Sequence, residues 1–136
     1  MLCTPDGTRE RTGSDGFVGV VYSVAATADG EHIVVGIGCG SKGEVRLYHI
    51  DGTLVHTFKS IVWHCNAGWV MSLAVTPDGQ HILSGASDNL VKVWSVATKS
   101  LVSTCRGHTD CVRAVAVMPD GQRILSGGND DTIRVW

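Results

Sequence analysis

Two short stretches of this chain carry residue types that could do chemistry. Cys105, His108 and Cys111 stand in a Cys-x2-His-x2-Cys spacing. Thiolate and imidazole are ligands that tetrahedral zinc takes, and His64 or Cys65 from an earlier turn would be available as a fourth. A neighbouring Cys and His also raise the question of a thiol nucleophile activated by a base. The second stretch, Gly38-Cys39-Gly40-Ser41-Lys42-Gly43, fits G-x-G-x-x-G and comes after the strand-like HIVVG. That is the spacing of a loop that cradles phosphates. The flanking residues argue against both. A dinucleotide fingerprint needs a helix whose first amides face the phosphates. The next residues here are EVRLYHI, alternating and β-branched, and then the hairpin signal Asp51-Gly52. The two cysteines fall on different expected strands, and no residue is left to orient a catalytic base. The expectation is no catalytic residue, no cofactor and no metal.

The elements around these stretches repeat. TPDGQHILSGASDNLVKVW, ending at Trp94, returns as MPDGQRILSGGNDDTIRVW, ending at Trp136. From Pro77 to Trp94, 11 of 18 positions match their counterparts from Pro119 to Trp136. A period of this size marks a solenoid, a propeller or an array. Each copy reads as a meander of short strands. WVMSLAV closes on the turn word Thr76-Pro77-Asp78-Gly79, in which Pro presets φ and Gly accepts the positive φ after Asp. Next come HILSG, a polar turn, LVKVWSV, another turn and LVSTC, which makes four antiparallel strands in about 40 residues. The last copy stops after its third strand. An earlier, degenerate copy runs from VYSVAAT through HIVVG and EVRLYHI to TLVHTF. The expected division is a polar segment over 1–16 (a possible repeat remnant), a degenerate blade over 17–60, a blade over 61–106 and a truncated blade over 107–136.

Composition sets wide limits. The chain has 136 residues, 43% hydrophobic and 18% charged, with 17 Gly, which suits a globular domain of short strands and many turns. A net charge of −2 provides no electrostatic footprint for nucleic acid or an anionic membrane. No apolar run reaches the length of a membrane span. MLCTPDGTRER has Pro, Asp and Glu where a signal peptide needs an apolar run. The five cysteines, none spaced Cys-x2-Cys, then read as reduced thiols. An intracellular, cytoplasmic location is expected, with the nucleus left open.

The last copy resembles a WD repeat of the WD40-type β-propeller family. Gly107-His108 precedes its first strand, Ser126 lies on the second, Asp130 in the turn after it, and Trp136 at the end of the third. The resemblance implies that His108, Ser126, Asp130 and Trp136 form a buried hydrogen-bonded set. The middle copy keeps Ser84, Asp88 and Trp94, with Asn66 at the His position and Cys65 in place of Gly. The first copy has Phe17, Val35 and Tyr48 at the His, Ser and Trp positions, so its polar set should be absent. The resemblance covers about residues 17–136 and implies an all-β, incomplete propeller arc of about three four-stranded blades, the last without its outer strand.

Three blades do not close a ring, so the faces at the two ends of the arc are expected to be bare. The stop at Trp136 is read as a fragment of a larger propeller. The alternative is completion by self-association through exposed blade faces. The resemblance further implies a non-catalytic platform for protein partners. A second reading is a regulatory or accessory segment of a multidomain enzyme. The family's contact positions map onto Trp69, Met71 and Ser87 in the middle copy and onto Cys111, Arg113 and Asn129 in the last, with Val20 and Tyr22 a looser match. Trp69 and Met71 are two apart, which places them on one side of a regular strand. The competing reading is that Trp69 packs against a neighbouring blade.

Overall fold

The computed structural model describes residues 19–40, 42–59 and 68–136. The expected segment over 1–16, Phe17, His64, Cys65 and Asn66 lie outside the described residues. Every element among the described residues is a β-strand, and no helix occurs. The first sheet is β1 (Val20–Ala26), β2 (His32–Cys39), β3 (Lys42–His49) and β4 (Leu54–Lys59), paired in chain order. The second is β5 (Val70–Val75), β6 (His81–Ala86), β7 (Val91–Ser95) and β8 (Ser100–Cys105), again in chain order. The third has three strands, β9 (Val112–Val117), β10 (Ile124–Gly128) and β11 (Ile133–Val135), so β11 is an edge. All pairings are antiparallel. The three sheets form an all-β arc that does not close.

Turn chemistry explains the meander. Asp29, Asp78 and Asp120 each accept the amide two residues on, at 2.9 Å. The glycines beside them, Gly30, Gly79 and Gly121, have φ of +74, +69 and +70°. Only Gly enters that region without cost, so the Asp-Gly word ends the first strand of each sheet and starts the second.

Strand register makes the sheets superimposable residue by residue. Gly36, Gly85 and Gly127 face Val45, Val91 and Ile133 on their neighbouring strands. Val35, Ser84 and Ser126 are equivalent by the same register, because each pairs with a cation, Arg46, Lys92 and Arg134 respectively.

The core lies between sheets rather than within one. Val34, Val45, Leu47 and Phe58 of the first sheet pack on Val70, Leu73, Ile82 and Trp94 of the second. Leu83 and Val91 of the second pack on Val112 and Val115 of the third. Each fully buried aliphatic side chain contributes about 1.5–3 kcal/mol relative to exposure. The contact is a knob in a socket. A Cβ on Gly36 would meet Val70 Cγ1 at 2.7 Å, and one on Gly85 would meet Val112 Cγ1 at 2.7 Å. Glycine is required there because the next sheet's valine already fills the volume. A hydroxyl adds a polar tie at each contact. Ser23 Oγ accepts the Leu73 amide at 3.0 Å, and Ser72 Oγ accepts the Val115 amide at 3.1 Å.

β5 is not a regular strand. A bulge between Val70 and Ser72 interrupts β5, so its buried residues are Val70 and Leu73, three apart. Trp69 precedes the strand and Met71 sits within the bulge.

Candidate interaction site

The residues of the last copy that the resemblance grouped are brought together by β10, its turn and the segment before β9. Trp136 Nε1 donates to Ser126 Oγ at 2.8 Å, and His108 Nε2 lies 2.8 Å from the same oxygen. His108 Nδ1 is 2.8 Å from Asp130 Oδ2. One proton arrangement satisfies every group: indole N–H to Ser126, hydroxyl to His108 Nε2, and Nδ1–H to Asp130. The His108 side chain is 0% exposed and that of Asp130 is 4% exposed, so an unmade bond here would be costly. Burial acts to raise the Asp130 pKa. The Thr109 amide, the Thr132 hydroxyl, the His108 ring and the Thr132 amide outweigh it and hold the carboxyl below its ordinary range.

The middle sheet uses the same positions differently. Trp94 Nε1 donates to Ser84 Oγ at 2.8 Å, as Trp136 does to Ser126. Asp88, however, pairs with Lys92, Nζ to Oδ2 at 2.5 Å, on side chains 13% and 6% exposed. Lys92 is a structural residue that the sequence reading passed over, although it was the only charge inside the apolar run LVKVW. A buried ammonium needs a carboxylate, and the turn aspartate was the one within reach. In the first sheet Arg46 donates to Glu44 Oε2 at 3.0 Å and lies 3.4 Å from the Tyr48 hydroxyl, an ion pair along one strand face in place of the Ser–Trp bond. In the third sheet Asp130 is occupied by His108, and the Arg134 guanidinium lies 5.9 Å from the centre of the Trp136 ring.

Of the positions that the resemblance implies as contacts, Trp69, Ser87, Cys111, Arg113 and Asn129 are linked by hydrogen bonds across two sheets. Ser87 donates its amide to Trp69 O at 3.1 Å, and Asn129 donates its amide to Cys111 O at 2.9 Å. The Cys111 thiol points at Ser87 O, 3.7 Å away, which joins the two sheets. Arg113 Nε donates to Asn129 Oδ1 at 2.9 Å. Met71 is half-buried in the bulge of β5. Trp69 lies between the first sheet and solvent. It packs on the first sheet, where its ring stacks on Tyr22 at 5.5 Å and 11° and its Nε1 donates to Gly40 O at 2.7 Å. Even so, it remains 41% exposed. Sequence reasoning held Tyr22 to be a loose match, yet it is the residue that fixes the Trp69 ring. Val20 is exposed nearby on β1.

The two stretches with chemical spacing are absorbed by the strands. Gly40, with φ +57°, sits in the turn between β2 and β3, and the chain continues from it as a strand rather than a helix. Cys105 ends β8, while Cys111 precedes β9. Burial raises both thiol pKa values, and Asp110 adds to the rise at Cys111. That direction is the opposite of the one that activates a thiolate. Both ring nitrogens of His108 already have partners. Among the described residues, no group of three or more His, Cys, Asp or Glu is placed to hold a metal.

Comparison with known proteins agrees with this geometry. No curated protein sequence matches the chain significantly. Among solved structures, a crystal structure of RRP9 WD40 repeats matches with a TM-score of 0.78 at 20% identity, over 89% of this chain and 36% of that one. This chain therefore spans roughly a third of that neighbour's length, and at that identity the likeness concerns the fold. The model of the WD domain, G-beta repeat, matches residues 52–95 and 99–136. Each matched unit starts in the turn just before the outer strand of one sheet, β4 or β8, and ends at or just past the third strand of the next, so sequence repeats and sheets are offset by one strand. With more than half of its length matched and its sheets arranged as propeller blades, the chain belongs to the WD40 repeat family.

Proposed function

We propose that this chain is a non-catalytic scaffold segment that binds protein partners on the rim formed by Trp69, Met71, Ser87, Cys111, Arg113 and Asn129. The observation that carries the reading is the state of Trp69. Its ring is held in place by Tyr22 and by the Gly40 carbonyl, while 41% of the residue faces solvent. A large aromatic surface that is fixed before binding loses little freedom on contact, and such residues dominate interface energetics. Arg113, oriented by Asn129, adds a second anchor of an enriched type at the same rim. The WD40 family generally serves as interaction platforms, which supports the reading. An intracellular setting with reduced thiols is part of it.

The test compares Trp69→Ala and Arg113→Ala with the parent chain. Proteins captured from an intracellular extract by the parent should be lost with both variants, by tenfold or more in affinity for Trp69→Ala. The unfolding midpoint should fall far less than for loss of a core Trp, which costs about 3–5 kcal/mol. If Trp69→Ala unfolds the arc, Trp69 is a packing residue and the reading is wrong.

A further inference from the structure

We propose that the rim takes an extended peptide with Asp or Glu on both sides of an apolar residue, the apolar side chain on Trp69 and the carboxylates on Lys42 and Arg113. The proposal rests on partners binding at that rim and adds the chemistry of the partner. Trp69 has a cation on either side. Its Nε1 donates to Gly40 O at 2.7 Å, and a Cβ on Gly43 would stand 3.3 Å from its Cα. Lys42 lies between those two glycines in the chain and is exposed. On the other side the Trp69 carbonyl accepts the Ser87 amide, the Cys111 thiol faces Ser87 O, and Asn129, whose amide bonds the Cys111 carbonyl, orients Arg113. Arg113 is exposed as well. Its Nε is taken by Asn129 Oδ1, and the planar pair Nη1 and Nη2 suits the two oxygens of a carboxylate.

The charges are sorted between the two ends of the strands. At the end that carries Trp69, the exposed cations are Lys42, Lys59 at the close of β4, Arg106 after β8 and Arg113. Most carboxylates near them already have basic partners in the chain. Glu44 pairs with Arg46 at 3.0 Å, Asp88 with Lys92 at 2.5 Å and Asp130 with His108 at 2.8 Å. The exposed acids there, Asp110 and Asp131, both belong to loops of the third sheet, and Asp110 accepts the Cys111 amide at 2.6 Å. In sequence, residues 60–67 between β4 and β5 hold no Asp, Glu, Lys or Arg. The opposite end has the reverse sign. Its turns expose Asp29, Glu31, Asp51, Asp78 and Asp120 against Lys99 and Arg123. The net charge of −2 therefore averages over a cationic rim and an acidic opposite end.

Complementary charge steers encounter and rejects wrong partners more than it adds affinity. On this rim the fixed aromatic ring supplies the affinity, and its flanking cations select the acidic partner. Nucleic acid is the other polyanion. Its backbone rewards many evenly spaced cations, whereas this rim sets one on each side of a single ring.

The experiment selects synthetic peptides, with random residues on both sides of a central Phe, on the immobilised 136-residue chain, and measures the selected peptides by calorimetry. Asp and Glu should be enriched on both sides of the Phe. Affinity should fall tenfold or more when those acids become Asn and Gln, when NaCl rises from 0.05 to 0.5 M, and in Lys42→Glu and Arg113→Glu. Arg123→Glu, the same charge change at the opposite end, should leave affinity unchanged. Lys42→Gln and Arg113→Gln, with smaller losses, stand in if either charge reversal misfolds. An absence of selected peptides, a preference for Lys and Arg, or folded Lys42 and Arg113 variants that bind as the parent does would overturn the proposal. Selected peptides without acidic preference that are lost with Trp69→Ala would overturn it and leave the rim reading standing. Acidic peptides that still bind Trp69→Ala would take down both. Displacement of the peptides by a single-stranded oligodeoxynucleotide at equal concentration would assign the cations to nucleic acid and overturn it too.

Discussion

Replacing Ser126 and Ser84 separately by Ala tests the hydrogen-bonded set in the most direct way. The two serines occupy the same register position, opposite Arg134 and Lys92, and are 3% and 2% exposed. The number of partners on the serine oxygen differs. Ser84 Oγ accepts one indole N–H, at 2.8 Å. Ser126 Oγ lies 2.8 Å from both the Trp136 indole nitrogen and His108 Nε2. Leaving one buried polar group without a partner costs about 1–3 kcal/mol. Ser84→Ala strands one group and should cost about that much. Ser126→Ala strands two, and about 2–5 kcal/mol is expected. The assay is urea unfolding monitored by tryptophan fluorescence, with both variants compared at equal slope so that the midpoint reports stability alone. Ser126→Ala should lie below Ser84→Ala by about 1–2 kcal/mol, a factor of roughly 5–30 in the folded-to-unfolded ratio. Equal losses, or a larger loss at Ser84, would refute the idea that the relay through His108 stabilises the last blade.

Three other outcomes rest on the same geometry. Gly85→Ala should cost about 1–3 kcal/mol in the same assay, because its Cβ would stand 2.7 and 2.9 Å from the methyl groups of Val112 and Val115. Asp88→Ala should cost about 3–5 kcal/mol by leaving the Lys92 ammonium buried and unpaired, whereas Lys92→Met paired with Asp88→Leu should recover most of that loss. For acid stability, Asp130 and the turn aspartates Asp29, Asp51 and Asp78 are all held below the ordinary value, Asp51 at about 2. A folded pKa below the unfolded one means that the unfolded chain binds more protons in that window. Stability is then complete above about pH 4 and falls as pH drops through the folded values. Asp130→Asn should flatten that acid limb when the unfolding midpoint is measured from pH 6 to 2, and an unchanged limb would show that Asp130 takes no part.

Much of this architecture was legible in the sequence, because its information is local and repeated. Asp-Gly turn words, strand-length apolar runs and the duplicated phrase ending at Trp94 and Trp136 each encode backbone conformation within a few residues. That determined the strands, their antiparallel order and the three strands of the last sheet, while the grouping of His108, Ser126, Asp130 and Trp136 was implied by the resemblance to a WD repeat. The tertiary structure decided what depends on distances between repeats. It paired Lys92 with Asp88, stacked Tyr22 on Trp69, and put Met71 in a bulge of β5. It also separated three glycines that look alike in sequence into two filled sockets, Gly36 and Gly85, and an open one, Gly127. The sequence says what a residue is, but whether the volume beside it is already taken by a neighbour tens of residues away is set only when the sheets pack.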